Sequence, residues 1–174
     1  CRDIALGIRT MKGTEGRMER VGASTDIDVF IDYAHTPDAL EKLMRAVRGF
    51  SDKRRVVLLF GCGGDRDRTK RPKMGRIAEI FADSIIITSD NSRSEEPMDI
   101  INDILGGIGS NKKIKVIESR REALYHGIMD AMEGDILVVA GKGHENYEID
   151  KNGTKFDASV NINADMGLVP VTFA

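Results

Sequence analysis

Five short apolar runs recur along the middle of the chain. They are nearly continuous rather than alternating, and they are rich in β-branched residues. The runs are 28–32 (DVFID), 56–60 (VVLLF), 84–88 (SIIIT), 114–117 (IKVI) and 136–140 (ILVVA). Continuous apolarity is typical of strands that are covered on both faces, as in a parallel sheet. The pattern therefore predicts five mostly parallel strands.

Four sets of apolar residues at helical spacing lie between these runs and predict one helix each. The first set follows Thr36 and Pro37, which suit an N-cap and a first helical position. The fourth follows Ser119, which forms a capping box with Glu122, and is expected to end at Gly134. The sets are Leu40, Leu43, Met44 and Val47; Met74, Ile77, Ala78 and Phe81 after Pro72; Met98, Ile101, Ile104, Leu105 and Ile108 after Pro97; and Leu124, Ile128 and Met132. We expect the methionines in these sets to be buried in the core.

The alternation of strands and helices predicts an α/β fold. We expect a Rossmann-like, doubly wound, mostly parallel sheet of about five or six strands flanked by helices. Residues 1–26 are rich in glycine and charge and show no sustained period, so they are interpreted as a linker or the end of an upstream unit.

Unusual residues gather in the loops that follow four of the predicted strands. These loops are 33–37 (YAHTP), 61–72 (GCGGDRDRTKRP), 89–97 (SDNSRSEEP) and 141–147 (GKGHENY). In a doubly wound fold, ligands bind at the carboxyl ends of the strands. The sequence therefore predicts a binding site built from these four loops.

Composition argues against several classes of protein and kinds of site. A formal net charge of −2 over 174 residues argues against a nucleic-acid-binding domain. No apolar run is long enough to span a bilayer, and no signal-peptide pattern opens the chain. Cys1 and Cys62 are too few for a disulfide framework or a zinc site, and a lone His144–Glu145 pair is not a metal site.

The glycine-rich loop does not have the order of residues that a phosphate-binding P-loop needs. Residues 65–73 carry five basic and two acidic side chains, a local excess of +3. That excess suits an anionic ligand, and arginine suits a carboxylate because its fork binds in a bidentate manner. The alternative is a solvated, salt-bridged loop whose glycines only turn the chain.

The other loops extend this chemistry. Arg93 and the Asn91 amide are candidates to face a cleft shared with Arg66, while Glu145 is a candidate acceptor for a substrate ammonium. Turn formation before the next helix explains Asn91 equally well. Lys142 and His144 are equally compatible with surface exposure. Together the loops offer cations for carboxylates and carboxylates for an ammonium, which is the chemistry of an amino-acid site.

Eight short motifs in nearly constant spacing resemble the C-terminal domain of the Mur ligases. They are GRME (16–19), DYAHTPDAL (32–40), GCGGDRD (61–67), KRP (70–72), FAD (81–83), DNSRSEEP (90–97), INDIL (101–105) and AGKGHE (140–145). Within that family they are most similar to the branch that adds the third residue of the peptidoglycan stem peptide. The resemblance implies a domain at 16–157, the end of a central domain or a linker at 1–15, and an atypical tail at 158–174.

The resemblance implies a cytoplasmic bacterial ATP-dependent ligase in which a central domain supplies the P-loop and the Mg²⁺ ligands, and an N-terminal domain binds the UDP end of the substrate. Its substrates would be ATP, UDP-N-acetylmuramoyl dipeptide and meso-diaminopimelate, and it would act as a monomer without nucleic-acid or membrane partners. No catalytic and no metal-binding residue is expected in this chain. The implied nucleotide contacts are Arg17, Asp32 and His35. The implied amino-acid contacts are Arg66, Asp90, Asn91, Ser92, Arg93, Gly141 and Glu145.

Arg93 bears on the choice of amino acid. Members of the family that add diaminopimelate show the order D-N-P-R, whose arginine binds the far carboxylate, and lysine-adding members generally lack it. This chain retains Arg93 but has Ser92 in place of the proline, which leaves the loop freer. Diaminopimelate, or a close dicarboxylic analogue, is therefore favoured over lysine, and a lysine- or lanthionine-adding member of the family remains an alternative. Folylpolyglutamate synthetases and other Mur ligases share the architecture, and a stand-alone amino-acid or nucleotide-binding module remains the alternative from another class.

Overall fold

The computed structural model describes residues 13–21, 27–109, 113–145, 147–149, 152–153 and 155–157, together with residue 4. The tail at 158–174 and most of the proposed connecting segment at 1–15, including Cys1, lie outside the described residues. No described helix combines the length and the apolar character needed to cross a membrane.

The described residues form a six-stranded sheet in the order β1-β2-β6-β3-β4-β5. The strands are β1 (Glu19–Val21), β2 (Asp28–Asp32), β3 (Val56–Phe60), β4 (Ser84–Ile87), β5 (Lys113–Val116) and β6 (Ile136–Ala140). All neighbours pair in parallel except β1, which is antiparallel to β2. The five predicted strands and the mostly parallel α/β sheet are thus confirmed.

Four helices connect the parallel strands: α1 (Pro37–Phe50), α2 (Lys70–Phe81), α3 (Pro97–Leu105) and α4 (Arg120–Met129). Thr36 caps α1 by accepting from the backbone N–H of Ala39, and Ser119 caps α4 by accepting from that of Glu122. These side chains satisfy N–H groups that a helix start leaves without a partner. The predicted capping signals are therefore confirmed at both helices.

Strand order determines which face of the sheet each helix covers. The connections β2–β3, β3–β4 and β4–β5 cross the sheet in one direction, whereas β5–β6 runs back. Because parallel crossovers are right-handed, α1, α2 and α3 fall on one face and α4 on the other. The core divides accordingly: Leu58 and Phe60 pack beneath the first three helices, and Val57 and Leu59 pack beneath α4.

Three helix expectations are wrong in detail. Met98 and Met132 are 41% and 58% exposed, although Met44 and Met74 are fully buried. Met98 is the second residue of α3, and Met132 follows the end of α4. α4 ends at Met129 rather than at Gly134, and α2 begins at Lys70, before Pro72. A proline in the first turn needs no N–H partner, so it fits inside the helix start.

Two elements were not predicted. Residues 19–21, within the 1–26 stretch that was interpreted as a linker, form β1, which pairs with β2 at the edge of the sheet. Residues after β6 form a hairpin of β7 (Tyr147–Ile149) and β8 (Lys155–Asp157), which is a separate two-stranded sheet. β1, β7 and β8 have three residues each, which is too short to show a periodic pattern of apolar residues.

Candidate functional site

The four loops singled out in the sequence emerge side by side. They follow β2, β6, β3 and β4, which are consecutive in the sheet. Register keeps the strand ends level, since Asp32 pairs with Ala140 and Phe60 pairs with Ile87. The fifth predicted strand, β5, lies at the outer edge. Parallel pairing therefore brings the predicted loops to one edge of the sheet.

An open cleft of about 330 Å³ lies between these loops. It is lined by Tyr33, His35, Thr36, Gly61, Gly63, Arg66, Asp67, Lys70, Asp90, Asn91, Arg93, Gly141 and Glu145. Six of the seven residues that the resemblance implies as amino-acid contacts are in this lining. His35, one of the three implied nucleotide contacts, is in it as well. The structure thus brings together residues that are more than 100 positions apart in the chain.

Three of the implied residues are not in the lining. Arg17 lies beside it, with its guanidinium carbon 4.7 Å from the centre of the Tyr33 ring. Asp32 accepts from the backbone N–H groups of Met18 and Ala34, each at 2.8 Å, so both carboxylate oxygens stabilise local backbone. Ser92 is buried beneath the glycine-rich loop.

Asp90, Asn91 and Lys142 form a buried polar cluster at the floor of the cleft. Lys142 Nζ donates to the carbonyl oxygen of Tyr147 at 2.6 Å and lies 3.5 Å from Asp90 Oδ1. Asn91 Oδ1 accepts from Lys142 Nζ at 3.4 Å and from the backbone N–H of Ile149 at 2.8 Å. The side-chain amide oxygen of Asn91 is therefore turned toward β7, not toward the open cleft.

Backbone conformation explains why Lys142 turns inward. Gly141 and Gly143 flank it with φ of +112° and +53°, which glycine adopts without steric cost. A Cβ atom on Gly141 would lie 3.4 Å from Asp90 Oδ2. The expectation that Lys142 is equally compatible with surface exposure is wrong, because it is only 4% exposed. His144, in contrast, is exposed.

Arg93 reaches the cleft from a conformation that few non-glycine residues adopt, with φ of +52°. Its Nη1 donates to the carbonyl oxygens of Gly64 at 2.9 Å and Asn91 at 3.1 Å. Its Nε and Nη2 donate to none of the residues that the structure describes. One side of the guanidinium thus fixes the loops, and the other is available to a ligand.

The serine that replaces the family's proline can be tested directly. Ser92 has no positive φ, and its N–H donates to no described residue. A Ser92→Pro variant therefore loses no described hydrogen bond and restricts the unfolded chain. We expect the free energy of unfolding to rise by about 0.4–1 kcal/mol in urea titrations. A loss of stability instead would show that the proline ring does not fit this loop.

Tyr33 connects two of the loops. Its hydroxyl donates to Glu145 Oε1 at 2.9 Å, and this hydrogen bond to the carboxylate raises the pKa of the phenol above its ordinary value. The ring contacts His35 edge-on at 4.9 Å between centroids and stacks on His144 at 6.1 Å. Glu145 is therefore held from one side while it lines the cleft.

A buried ion-pair network supports the rim of the cleft. Arg71 is fully buried and donates to both oxygens of Glu95, at 2.7 and 2.8 Å, and to Asp103 Oδ2 at 2.8 Å. Glu95 Oε1 also accepts from the backbone N–H of Asp65 at 2.7 Å. The Arg71 guanidinium, more than any other group, lowers the pKa of Glu95 to about 2. The network ties the glycine-rich loop, the 89–97 loop and α3 together.

The network also separates the basic residues of the 65–73 segment into those that form ion pairs and those that line the cleft. Arg68 pairs with Asp103 at 3.0 Å, and Arg71 pairs inside the protein. Arg66 and Lys70 remain in the cleft lining, and Lys70 Nζ donates to the His35 carbonyl oxygen at 3.0 Å. The salt-bridged interpretation therefore holds for Arg68 and Arg71, and binding of an anionic ligand by Arg66 and Lys70 stays a prediction.

Two further charged side chains are buried below the cleft. Arg120, at the start of α4, donates from Nη2 to the Ala140 carbonyl oxygen at 3.1 Å. Glu148 Oε2 accepts from Ser89 Oγ at 3.4 Å. Burial lowers the pKa of Arg120 and raises that of Glu148. Arg120 Nη1 and Glu148 Oε1 have no hydrogen-bond partner among the described residues.

The described residues do not offer a metal centre, because no three His, Cys, Asp or Glu side chains converge among them. Cys62 is a buried free thiol beside Met74, and burial raises its pKa to about 12. A thiol of such high pKa is not an effective nucleophile at neutral pH.

The cleft combines opposite charges in a defined arrangement. Arg66, Lys70 and Arg93 bring positive charge from the loops after β3 and β4, while Asp67, Asp90 and Glu145 bring carboxylates. This set of charges is complementary to a zwitterionic amino acid.

Sequence reasoning missed Tyr33, Lys142 and Arg71. Tyr33 is uncharged and stands between the more conspicuous Asp32 and His35, and only its place at a strand end could have identified it. The flanking glycines were a usable signal for Lys142. No local signal separates Arg71 from the exposed basic residues around it, because its partners lie 24 and 32 positions away.

Comparisons with known proteins identify the family and the fold of this chain. The chain matches the family described as "Mur ligase, glutamate ligase domain" over residues 16–143. It is 52% identical over 147 residues to the UDP-N-acetylmuramoyl-L-alanyl-D-glutamate–2,6-diaminopimelate ligase of Gloeobacter violaceus, covering 84% of this chain and 30% of that protein. Ligase 1 of the same name from Clostridium acetobutylicum is 49% identical over 145 residues, with coverages of 82% and 30%.

Solved structures show the same relationship. A structure of a UDP-N-acetylmuramoyl-L-alanyl-D-glutamate–2,6-diaminopimelate ligase is 41% identical with a TM-score of 0.75, covering 85% of this chain and 30% of that one. Folylpolyglutamate synthase from Thermotoga maritima is 22% identical with a TM-score of 0.60, covering 80% of this chain and 30% of that one, and shows the fold alone. The chain spans about 30% of the length of the curated relatives it matches.

Proposed function

Because this chain belongs to the Mur ligase, glutamate ligase domain family, we propose that it is the C-terminal domain of an ATP-dependent ligase of peptidoglycan synthesis. The complete ligase adds meso-diaminopimelate to UDP-N-acetylmuramoyl-L-alanyl-D-glutamate in the bacterial cytoplasm. The domain occupies residues 16–157, and residues 1–15 connect it to a central domain. The names of the relatives support this substrate, since they are ligases for 2,6-diaminopimelate.

One observation carries the choice of substrate. Arg93 lines the same cleft as Glu145 and keeps Nε and Nη2 clear of the described residues. Diaminopimelate has a second amino-acid centre at the far end of its side chain, so it presents a carboxylate that lysine lacks. An arginine fork binds a carboxylate in a bidentate manner, whereas it repels the ammonium of lysine.

In this proposal the domain binds and orients the attacking amino acid. Asp90 and Glu145 hold ammonium groups, Arg66 and Arg93 hold carboxylates, and Gly141 allows close approach. Asn91 and Ser92 shape the loop that carries Arg93. Arg17, Asp32 and His35 lie on the side of the cleft that is proposed to face the nucleotide.

The proposed reaction proceeds through an acyl phosphate. The γ-phosphoryl group of ATP passes to a substrate carboxylate and ADP leaves. The neutral amine of diaminopimelate then attacks the acyl carbon, the amide bond forms, and inorganic phosphate and a proton leave. Holding the amine near the acyl carbon replaces a bimolecular encounter with an oriented one. In this proposal the Mg²⁺ that accompanies ATP is bound by residues of the central domain.

An amide NMR titration of this chain tests the proposal. We expect meso-diaminopimelate to shift resonances of the loops at 61–72, 89–97 and 141–145, and L-lysine to leave all three loops unchanged. An equal response to lysine would contradict the substrate assignment. If neither amino acid binds the isolated chain, the same comparison is made with the complete ligase, in which the site is closed by the other domains.

A further inference from the structure

Tyr33 occupies a junction between two groups of residues to which the proposed function gives different ligands. Its hydroxyl donates to Glu145 Oε1 at 2.9 Å, on the side proposed for the amino acid. Its ring lies 4.7 Å from the Arg17 guanidinium and 4.9 Å from the His35 ring, on the side proposed for the nucleotide. One side chain therefore contacts both groups.

The hydrogen bond has a defined direction. Glu145 is the acceptor and the phenol is the donor, and the pKa of Tyr33 is raised because the neighbouring carboxylate disfavours loss of its proton. The Tyr33 hydroxyl thus occupies one lone pair of Glu145 Oε1 and fixes the orientation of the carboxylate. The other carboxylate oxygen is left for an ammonium group.

Packing prevents the ring from moving independently of the loops. A Cβ atom on Gly143 would lie 3.0 Å from both Cβ and Cδ2 of Tyr33. A Cβ atom on Gly16 would lie 2.5 Å from the backbone nitrogen of His144. The segment that carries Arg17 and the loop that carries Glu145 are therefore packed tightly against each other around this ring.

We propose that Tyr33 is a positioning residue that couples nucleotide binding to amino-acid binding in this site. Nucleotide contacts with Arg17 and His35 strengthen the packing around the Tyr33 ring, and with it the hydrogen bond that holds Glu145 in the orientation that receives the ammonium. Bound nucleotide thereby lowers the ordering cost of amino-acid binding, so the amino acid binds more tightly afterwards. Thermodynamic linkage requires the amino acid to tighten nucleotide binding by the same factor. This inference rests on the proposed function.

The test uses the complete ligase as wild type and as Tyr33→Phe, which keeps the ring and removes only the hydroxyl. The affinity for meso-diaminopimelate is measured by calorimetry with and without the saturating β,γ-imido analogue of ATP. We expect the analogue to tighten binding by about 5- to 150-fold in the wild type and by less than about twofold in the variant. The KM for diaminopimelate rises about tenfold, since a hydrogen bond to a charged group is lost, while kcat changes by less than about twofold.

Tyr125→Phe is the matched control, because Tyr125 is 49% exposed on α4 and lies outside the cleft lining. It should behave as the wild type in every measurement. Coupling in Tyr33→Phe as strong as in the wild type would overturn the inference. It would also be overturned if the wild type shows no coupling between nucleotide and amino acid while Tyr33→Phe weakens the binding of both ligands equally. A wild-type ligase that shows no diaminopimelate-dependent phosphate release would instead overturn the proposed function, and the inference with it.

Discussion

Replacing Arg71 by methionine is expected to lower the free energy of unfolding of this chain by about 3–5 kcal/mol. Methionine retains much of the side-chain volume, so the main loss is the charge and its hydrogen bonds to Glu95 and Asp103. Both carboxylates are largely withdrawn from water, with side-chain exposures of 20% and 31%. Removal of Arg71 leaves Glu95 without the cation that compensates for its desolvation, and leaves Asp103 with the exposed Arg68 as its partner. Urea titration at pH 7 measures the effect.

Arg68→Met is the matched control, because Arg68 pairs with the same Asp103 but is 64% exposed. It should cost no more than about 1 kcal/mol. The pH dependence identifies the group involved. Glu95 has a pKa of about 2 in the folded protein and an ordinary value of 4.5, so its contribution is complete above about pH 4.5 and is lost as the pH falls toward 2. The difference between wild type and Arg71→Met should shrink over that interval, and a constant difference would contradict the assignment.

Replacing Arg93 by alanine in the complete ligase is expected to raise the KM for meso-diaminopimelate by about 10- to 150-fold. This range corresponds to the loss of hydrogen bonds to a charged group, about 1.5–3 kcal/mol. The effect falls on KM because the far carboxylate does not change during the reaction, so its contact is equally strong in the ground and transition states. Steady-state phosphate release at varied diaminopimelate concentration provides the measurement.

Two further variants separate ligand binding from loop support. Arg93→Lys keeps the charge but not the fork, so its KM should lie between those of the wild type and Arg93→Ala. Arg45→Ala removes an arginine that is 65% exposed on α1 and should leave KM unchanged. An Arg93→Ala enzyme with a wild-type KM would show that Arg93 only supports the carbonyl oxygens of Gly64 and Asn91.

The α/β architecture was predictable because the apolar pattern of each strand and helix can be recognised in a single sequence. Runs such as 56–60 are apolar at every position, and β3 is indeed buried at every position. Strand order was less accessible: β6 is last among the parallel strands in the chain yet lies between β2 and β3. Nothing local in residues 136–140 encodes that neighbour relationship, which arises from how the two sheet faces are covered.

The candidate site was predictable at the level of loops, but less so at the level of atoms. Clustering of Arg66, Asp90, Arg93 and Glu145 follows from the rule that parallel strands present their carboxyl ends at one edge. The inward turn of Lys142 depends on two positive φ values, and its partners come from two other segments. Long-range contacts of this kind leave no period in the sequence.

The most direct test of the account is phosphate release by the complete ligase supplied with ATP, Mg²⁺ and UDP-N-acetylmuramoyl-L-alanyl-D-glutamate. We expect meso-diaminopimelate to stimulate release and L-lysine at the same concentration to give no more than the background rate. Stimulation by lysine equal to that by diaminopimelate would contradict the role of Arg93 in recognising a second carboxylate. Absence of stimulation by either amino acid would contradict the proposed ligase itself.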